Sequence, residues 1–404
     1  MSRLAYCLAP TLAVLASPAF AQSYDGTCDG PGWIDKPDDV FAADCVDFAF
    51  NGSLEEREKL AWMFFTRVSR VIDDTQPDGT IGDGIVRDGT PTKKVPVWMA
   101  WPTDPDTFGT RKPFDWDNEL PRREMEPSVE KKDIEAGRIA TADPDGANEE
   151  VTRNRTAYDY LINAGLTTKI DVAEFFKTHD AVDMPVGSVE LKASWLQLPK
   201  GEVPPDGALV FHFESGDYWW RGIHIMVKMQ SLPNPVEDIF YSEEPSWFWT
   251  TFEFNDNSGV RKVRETLITQ RAPLPPEEID SVLAEGGVAD FGYQAYAPNG
   301  TQIRFTVDGT GEVPVILGHT DMEDFAGSPN TAQPQYWTRF EASCHACHAT
   351  AAYNPKTETF FPFSVPTGAL HKGYNMTDKA GTVIYLGQGY KPLDFMWPIA
   401  FQTK

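Results

Sequence analysis

The run Cys344-His345-Ala346-Cys347-His348 constrains this chain more than any other stretch of it. It fits the pattern Cys-x-x-Cys-His. The spacing of its two thiols, three positions apart, has a mechanical reason. They reach the two vinyl groups on one edge of a porphyrin and form thioethers, and the next residue then sets its imidazole under the iron as an axial ligand. The motif therefore predicts one covalent haem c held by Cys344, Cys347 and His348. Covalent attachment keeps a cofactor in place even in a shallow, partly exposed site. Two other chemistries use a Cys-x-x-Cys pair. A thioredoxin-like dithiol follows a strand in a βαβ unit, and nothing before Cys344 reads that way. A zinc site needs two further ligands; His345 and a distant His are available, but there is no second Cys pair.

The second axial position is read from the tail. Met376 lies in Gly373-Tyr374-Asn375-Met376-Thr377, a turn-like segment, and is the first candidate for the distal iron ligand. His371 and Met396 rank behind it, and Met396 sits in an apolar stretch that reads as core. A Met ligand raises the potential and suits electron transfer, a His lowers it, and an open position admits ligands or peroxide.

The amino terminus reads as an export signal. Arg3 supplies the positive region, Leu8 to Ala16 the short apolar run, and Ala19-Phe20-Ala21 a small-x-small cleavage site, so residues 1–21 are expected to be removed. Cys7 faintly suggests a lipoprotein box, but Tyr6 is bulky and the apolar run follows the cysteine. The expected location is periplasmic or secreted. Of the five cysteines, Cys28 and Cys45 then form a natural disulfide pair in an oxidising compartment, leaving Cys344 and Cys347 for other chemistry.

The formal net charge is −25. A surface this acidic repels phosphate backbones and anionic headgroups, so neither nucleic acid nor a membrane surface is an expected partner. A basic redox protein is. No apolar stretch is long enough to span a bilayer.

Periodicity orders the rest. Ser53 with Glu56 three residues later is a capping box, opening a helix with Leu60, Met63, Phe64, Val68, Val71 and Ile72 on one stripe and its end near Asp73. Val95 to Trp101 reads as a strand. Residues 102–155 read as a polar surface excursion, with short helices near 156–164 and 171–177. Alternating strand-like runs follow at 189–195, 208–214, 222–228, 247–254, 292–297 and 302–307. Asn299-Gly300 signals a hairpin turn, and a helix begins at Pro275 or Pro276 and ends at Gly286. Glu190 and Lys192 alternate with apolar neighbours and read as a solvated face. His212 and His224 read as hydrogen-bonded sheet histidines, since two His alone make a poor metal site.

The segments 189–195, 222–225, 249–254, 300–305, 343–348 and 394–397 resemble those of large, single-haem, cytochrome c-like bacterial proteins. The likeness covers roughly residues 186–404, and it implies haem binding rather than any particular reaction. The chain departs from small all-helical cytochromes c, which carry the haem motif near the amino terminus.

The expected fold is α+β and β-rich: an antiparallel sheet or sandwich body with peripheral helices and a C-terminal haem-bearing segment. The expected units are a signal at 1–21, a helical and loop-rich region at 22–185, a β-rich body at 186–335 and the haem segment at 336–404. The expected role is one-electron transfer. A haem-dependent oxidoreductase with a pocket in the body and a haem-based ligand sensor are the alternatives.

Overall fold

The computed structural model describes residues 43–73, 84–87, 90–91, 94–110, 112–116, 126–127, 148–213, 216–234, 246–254, 273–303, 318–319, 322, 327–329, 337–340, 344–361, 375–377, 383–385 and 389–403. The signal segment, Cys28 and His371 lie outside the described residues.

Helix α1 (Ala43–Asn51) leads into helix α2 (Leu54–Val68). The Ser53 hydroxyl accepts from the Glu56 amide at 3.2 Å, and the Glu56 carboxylate accepts from the Ser53 amide at 2.7 Å, so the capping box forms as read. The helix stops earlier than its stripe suggests. Val71 and Ile72 are β-branched and belong to strand β1 (Val71–Asp73), which pairs with β4 (Lys94–Pro96). The strand expected at 95–101 ends at Pro96 and gives way to a 3-10 turn, Val97–Ala100.

Among the described residues, the body is one nine-stranded antiparallel sheet. Its strands are β2 (Gly84–Arg87), β3 (Thr90–Pro91), β5 (Glu126–Pro127), β6 (Asn148–Arg153), β7 (Val189–Gln197), β8 (Val210–Phe213), β9 (Gly216–Lys228), β10 (Trp247–Phe254) and β11 (Tyr296–Gln302). The order is β3-β2-β8-β9-β7-β6-β5, with β10 on β9 and β11 on β10. Strand β9 is the axle: β7 pairs along one edge, while β8 takes the start and β10 the end of the other. Asn299-Gly300 is not a hairpin turn. Thr250 pairs with Thr301 and Phe252 with Pro298, so Asn299 and Gly300 together oppose Thr251 as a β-bulge, with Gly300 at φ +105°. The segment 292–295, read as strand, is a 3-10 turn leading into β11.

The two faces of the sheet differ. Val189, Leu191 and Ala193 of β7, Ile223, Ile225 and Val227 of β9, and Phe248 and Phe252 of β10 share one face and are buried. Helix α2 closes that face: Phe65 stacks on Phe252 at 4.1 Å, and Trp62 meets the same ring edge-on at 4.9 Å. Burying each such side chain contributes roughly 1.5–3 kcal/mol, which makes this the folding core.

The opposite face is polar and aromatic. Arg153, Glu190, Met226, Trp249 and Gln302 stand in a single row across β6, β7, β9, β10 and β11. Helix α3 (Asp104–Thr107) and helices α4 (Arg155–Asn163) and α5 (Lys169–Phe175) lie on this side of the chain's path. Residues of α4 and α5 share a cluster with Met226, Trp247, Trp249 and Cys344. Because this face is covered, Glu190 is not solvated: it is 4% exposed and binds the fully buried Arg153 at 3.2 Å. Arg153 also donates to Thr107 at 2.6 Å and to Asp104. Lys192 stays half-buried and pairs with Glu149 at 2.8 Å.

Helix α6 (Pro276–Glu285) ends at Gly286, where a Cβ would meet the Thr66 side chain of α2 at 2.6 Å. Beyond the sheet, β12 (Gly327–Pro329) pairs with β13 (Trp337–Phe340), and helix α7 (Cys344–His348) follows. Strand β14 (Ala352–Asn354) pairs with β15 (Thr359–Phe360) and β18 (Lys391–Pro392), β16 (Asn375–Thr377) pairs with β17 (Val383–Tyr385), and α8 (Trp397–Gln402) ends the chain. Among the described residues, no helix is long and apolar enough to cross a membrane. The fold is α+β and sheet-rich, and its body is an antiparallel sheet flanked by helices.

Candidate functional site

Helix α7 is seated on the polar-aromatic face of the sheet. Gln302, at the end of β11, accepts a hydrogen bond from the His345 amide at 2.8 Å. Trp249 of β10 meets the His348 ring edge-on at 4.7 Å. From the tail, Trp397 donates its indole N–H to the Cys347 carbonyl at 3.0 Å. Strands β14 and β18 explain why the tail is there. They pair just after α7, the Leu393 amide donates to the Ala351 carbonyl at 2.9 Å, and the chain beyond β18 is thereby folded back against α7.

That return places the Phe395 carbonyl 2.7 Å from Nδ1 of His348. A carbonyl only accepts, so Nδ1 carries the proton and the ring's lone pair resides on Nε2. This is the tautomer that binds a metal through Nε2, with the backbone partner fixing ring orientation and raising ligand basicity. Phe395 also lays its ring 4.8 Å from that of His345. Burial, reinforced by neighbouring His348, pushes the His345 imidazole down to about 3, so it stays neutral.

The carbonyl is held by an unusual backbone. Asp394 and Phe395 have φ of +49° and +67°, and neither is glycine. Such residues persist only where surrounding structure over-determines them. Asp394, fully buried, receives Lys228 Nζ at 2.7 and 3.0 Å, the Trp247 indole N–H at 3.0 Å and the Met184 amide at 2.6 Å. Lys228 is itself fully buried and lies 5.5 Å over the Trp247 ring, with Asp183 as an outer partner at 3.3 Å.

Cys344 is buried, and Cys347 is half-buried. The Cys344 sulfur lies 4.0 Å from Nδ1 of His224 on β9, and that nitrogen meets the Thr251 hydroxyl at 2.5 Å. His319, fully buried, stands 5.9 Å from His224, with its Nδ1 3.7 Å from Glu253. Gly222 makes room for it: at φ +154°, a Cβ there would lie 2.4 Å from His319 Nε2 and 2.2 Å from the Phe252 carbonyl. His212 does not join this cluster. It is exposed and pairs with Asp217 at 2.7 Å. Among the described residues, no group of three or more His, Cys, Asp and Glu side chains is arranged to hold a metal ion.

Met376 is placed in β16, opposite Ile384. Met396 is fully buried at the start of α8, as its apolar setting suggests. Cys45 is buried in α1, and its expected partner Cys28 lies outside the described residues.

The donor set fits an iron porphyrin. Two thiols share one short helix, and the adjoining imidazole is held with its lone pair on Nε2 by a backbone carbonyl. A porphyrin brings its own nitrogens, so one protein imidazole suffices on the proximal side. Sequence reading singled out Cys344, Cys347 and His348, which the structure places together on α7. It passed over Lys228, Trp249, Gln302, Asp394 and the Phe395 carbonyl. The one available signal was a lysine at the end of an apolar strand run, Ile225-Met226-Val227-Lys228, which asks for a buried carboxylate.

Comparison with protein-family models, with curated proteins and with solved structures finds no match to this chain.

Proposed function

We propose that this chain is a c-type haem protein that transfers single electrons. The observation that carries the reading is the His348–Phe395 hydrogen bond beside a Cys-x-x-Cys pair. Cys344 and Cys347 would hold the haem by thioethers, His348 would ligate the iron through Nε2, and the bound haem would supply a one-electron couple. The protein's part is to fix the imidazole, exclude water with Trp249, Phe395 and Trp397, and set the charge around the site.

The net charge of −25 supports a basic protein as redox partner, brought in by long-range attraction. The leader-like residues 1–21 support export to the periplasm, the compartment in which a Cys28–Cys45 disulfide persists. Met376 stays the first candidate for the distal ligand.

Absorption spectroscopy of the haem-loaded protein tests the carrier role. A six-coordinate, low-spin ferrous haem that ignores CO is expected. A high-spin haem that binds CO when reduced or cyanide when oxidised would replace the carrier with an enzyme or a ligand sensor.

A further inference from the structure

We propose that Lys228 and Asp394 are positioning residues for the His348 imidazole, forming a buried mount that aims the Phe395 carbonyl. The inference rests on the proposed haem ligation for its purpose but not for its geometry. Three donors from three separate elements converge on the Asp394 carboxylate: the Lys228 ammonium from β9, the Trp247 indole from β10 and the Met184 amide from the segment before β7. These three donors anchor the side chain of a residue whose backbone lies in the left-handed region. The next residue, also left-handed, then turns its carbonyl onto Nδ1 of His348.

Left to itself, a non-glycine pair at positive φ relaxes towards negative φ, and the carbonyl swings away. A buried ion pair is a poor source of stability compared with apolar packing, so its retention here asks for another purpose. Holding one backbone oxygen to within a hydrogen bond of a metal-binding imidazole is such a purpose. A carbonyl on Nδ1–H raises the basicity of Nε2 and favours the oxidised metal, so the mount sets the potential as well as the orientation.

The test uses the full chain made in a host that matures c-type cytochromes, with intact mass recorded for each protein. Lys228→Met/Asp394→Leu removes the mount without leaving a charge buried and keeps a non-glycine side chain at 394, so the left-handed turn loses its support. Trp247→Phe removes a single donor to Asp394 and serves if the double variant does not fold. Asp183→Asn removes only the outer, 40% exposed partner of Lys228.

Exchange of the His348 Nδ1–H proton, followed by 15N NMR, reads the hydrogen bond whether or not haem is attached. Exchange about tenfold faster is expected in the double variant, matching loss of a hydrogen bond worth about 1.4 kcal/mol. A smaller increase is expected for Trp247→Phe and none for Asp183→Asn. In haem-loaded protein the double variant is also expected to show a more positive potential. Unchanged exchange in a folded double variant, or in Trp247→Phe if that is the one that folds, would overturn the inference. A mass without haem, accompanied by faster exchange, would overturn the haem reading and leave the mount intact.

Discussion

The Nδ1 atom of His348 donates to the carbonyl of Phe395 across 2.7 Å and 47 positions of sequence. The contact joins a short helix seated on the sheet to the last turn before the terminal helix. Its geometry depends on two left-handed residues, and these depend on one buried ion pair.

Removing one partner of that pair is expected to be costly. In Asp394→Ala the Lys228 ammonium stays buried with, among the described residues, the outer carboxylate of Asp183 beside it, at a cost of about 3–5 kcal/mol. An exposed pair makes the comparison: Arg155–Asp159 on α4, at 3.5 Å, is worth roughly 0.3–0.5 kcal/mol. Urea unfolding of Asp394→Ala and Asp159→Ala separates the two. Equal losses would mean that burial does not govern the Lys228–Asp394 pair.

Glu190 is expected to make stability pH-dependent. Burial raises its carboxyl to about 7, against the opposing attraction of Arg153. Because the folded value lies above the ordinary 4.5, the protonated form favours folding. That contribution is complete below about pH 4.5 and is lost as pH rises through about 7. The gap, at about 1.4 kcal/mol per pH unit, amounts to about 3 kcal/mol. Glu190→Gln mimics the protonated side chain and should melt with the parent protein at pH 4.5 and above it at pH 8. A variant that is less stable at pH 8 would show that the carboxylate, not the acid, suits the Arg153 site.

Gly222 is expected to tolerate no side chain. Its φ of +154° and the 2.2 Å approach to the Phe252 carbonyl put any Cβ into backbone. Gly222→Ala should lose about 2 kcal/mol or more, read as a lowered melting temperature. It should also displace His319, seen as altered 15N shifts of that ring. Parent-like melting would mean that β9 and β10 shift apart without cost.

Local chemistry made part of this molecule legible in the sequence. Ser53 and Glu56 cap a helix because their side chains reach each other's amides, and the aromatic and β-branched run Trp247–Phe254 marks both ends of a strand. The thiols and His348 stand out because Cys-x-x-Cys-His is a short local pattern. What escaped is non-local. Lys228 meets Asp394 across 166 positions, and no spacing rule links them. Glu190 reads as solvated because alternation reveals that a sheet has two faces but not that both are covered. Asn299-Gly300 carries the chemistry of positive φ, which a hairpin turn and a bulge both use, and only the pairing of β10 with β11 decides between them.

The central claim is that Cys344 and Cys347 carry a haem whose iron is bound by His348. The most direct measurement is a pyridine haemochrome assay joined to intact mass, on chain produced in a cytochrome-maturing host, beside a Cys344→Ser/Cys347→Ser variant. The account expects one haem per chain, covalently retained after acid extraction, and none on the variant. A colourless product with both sulfurs as thiols, or joined to each other, would contradict it.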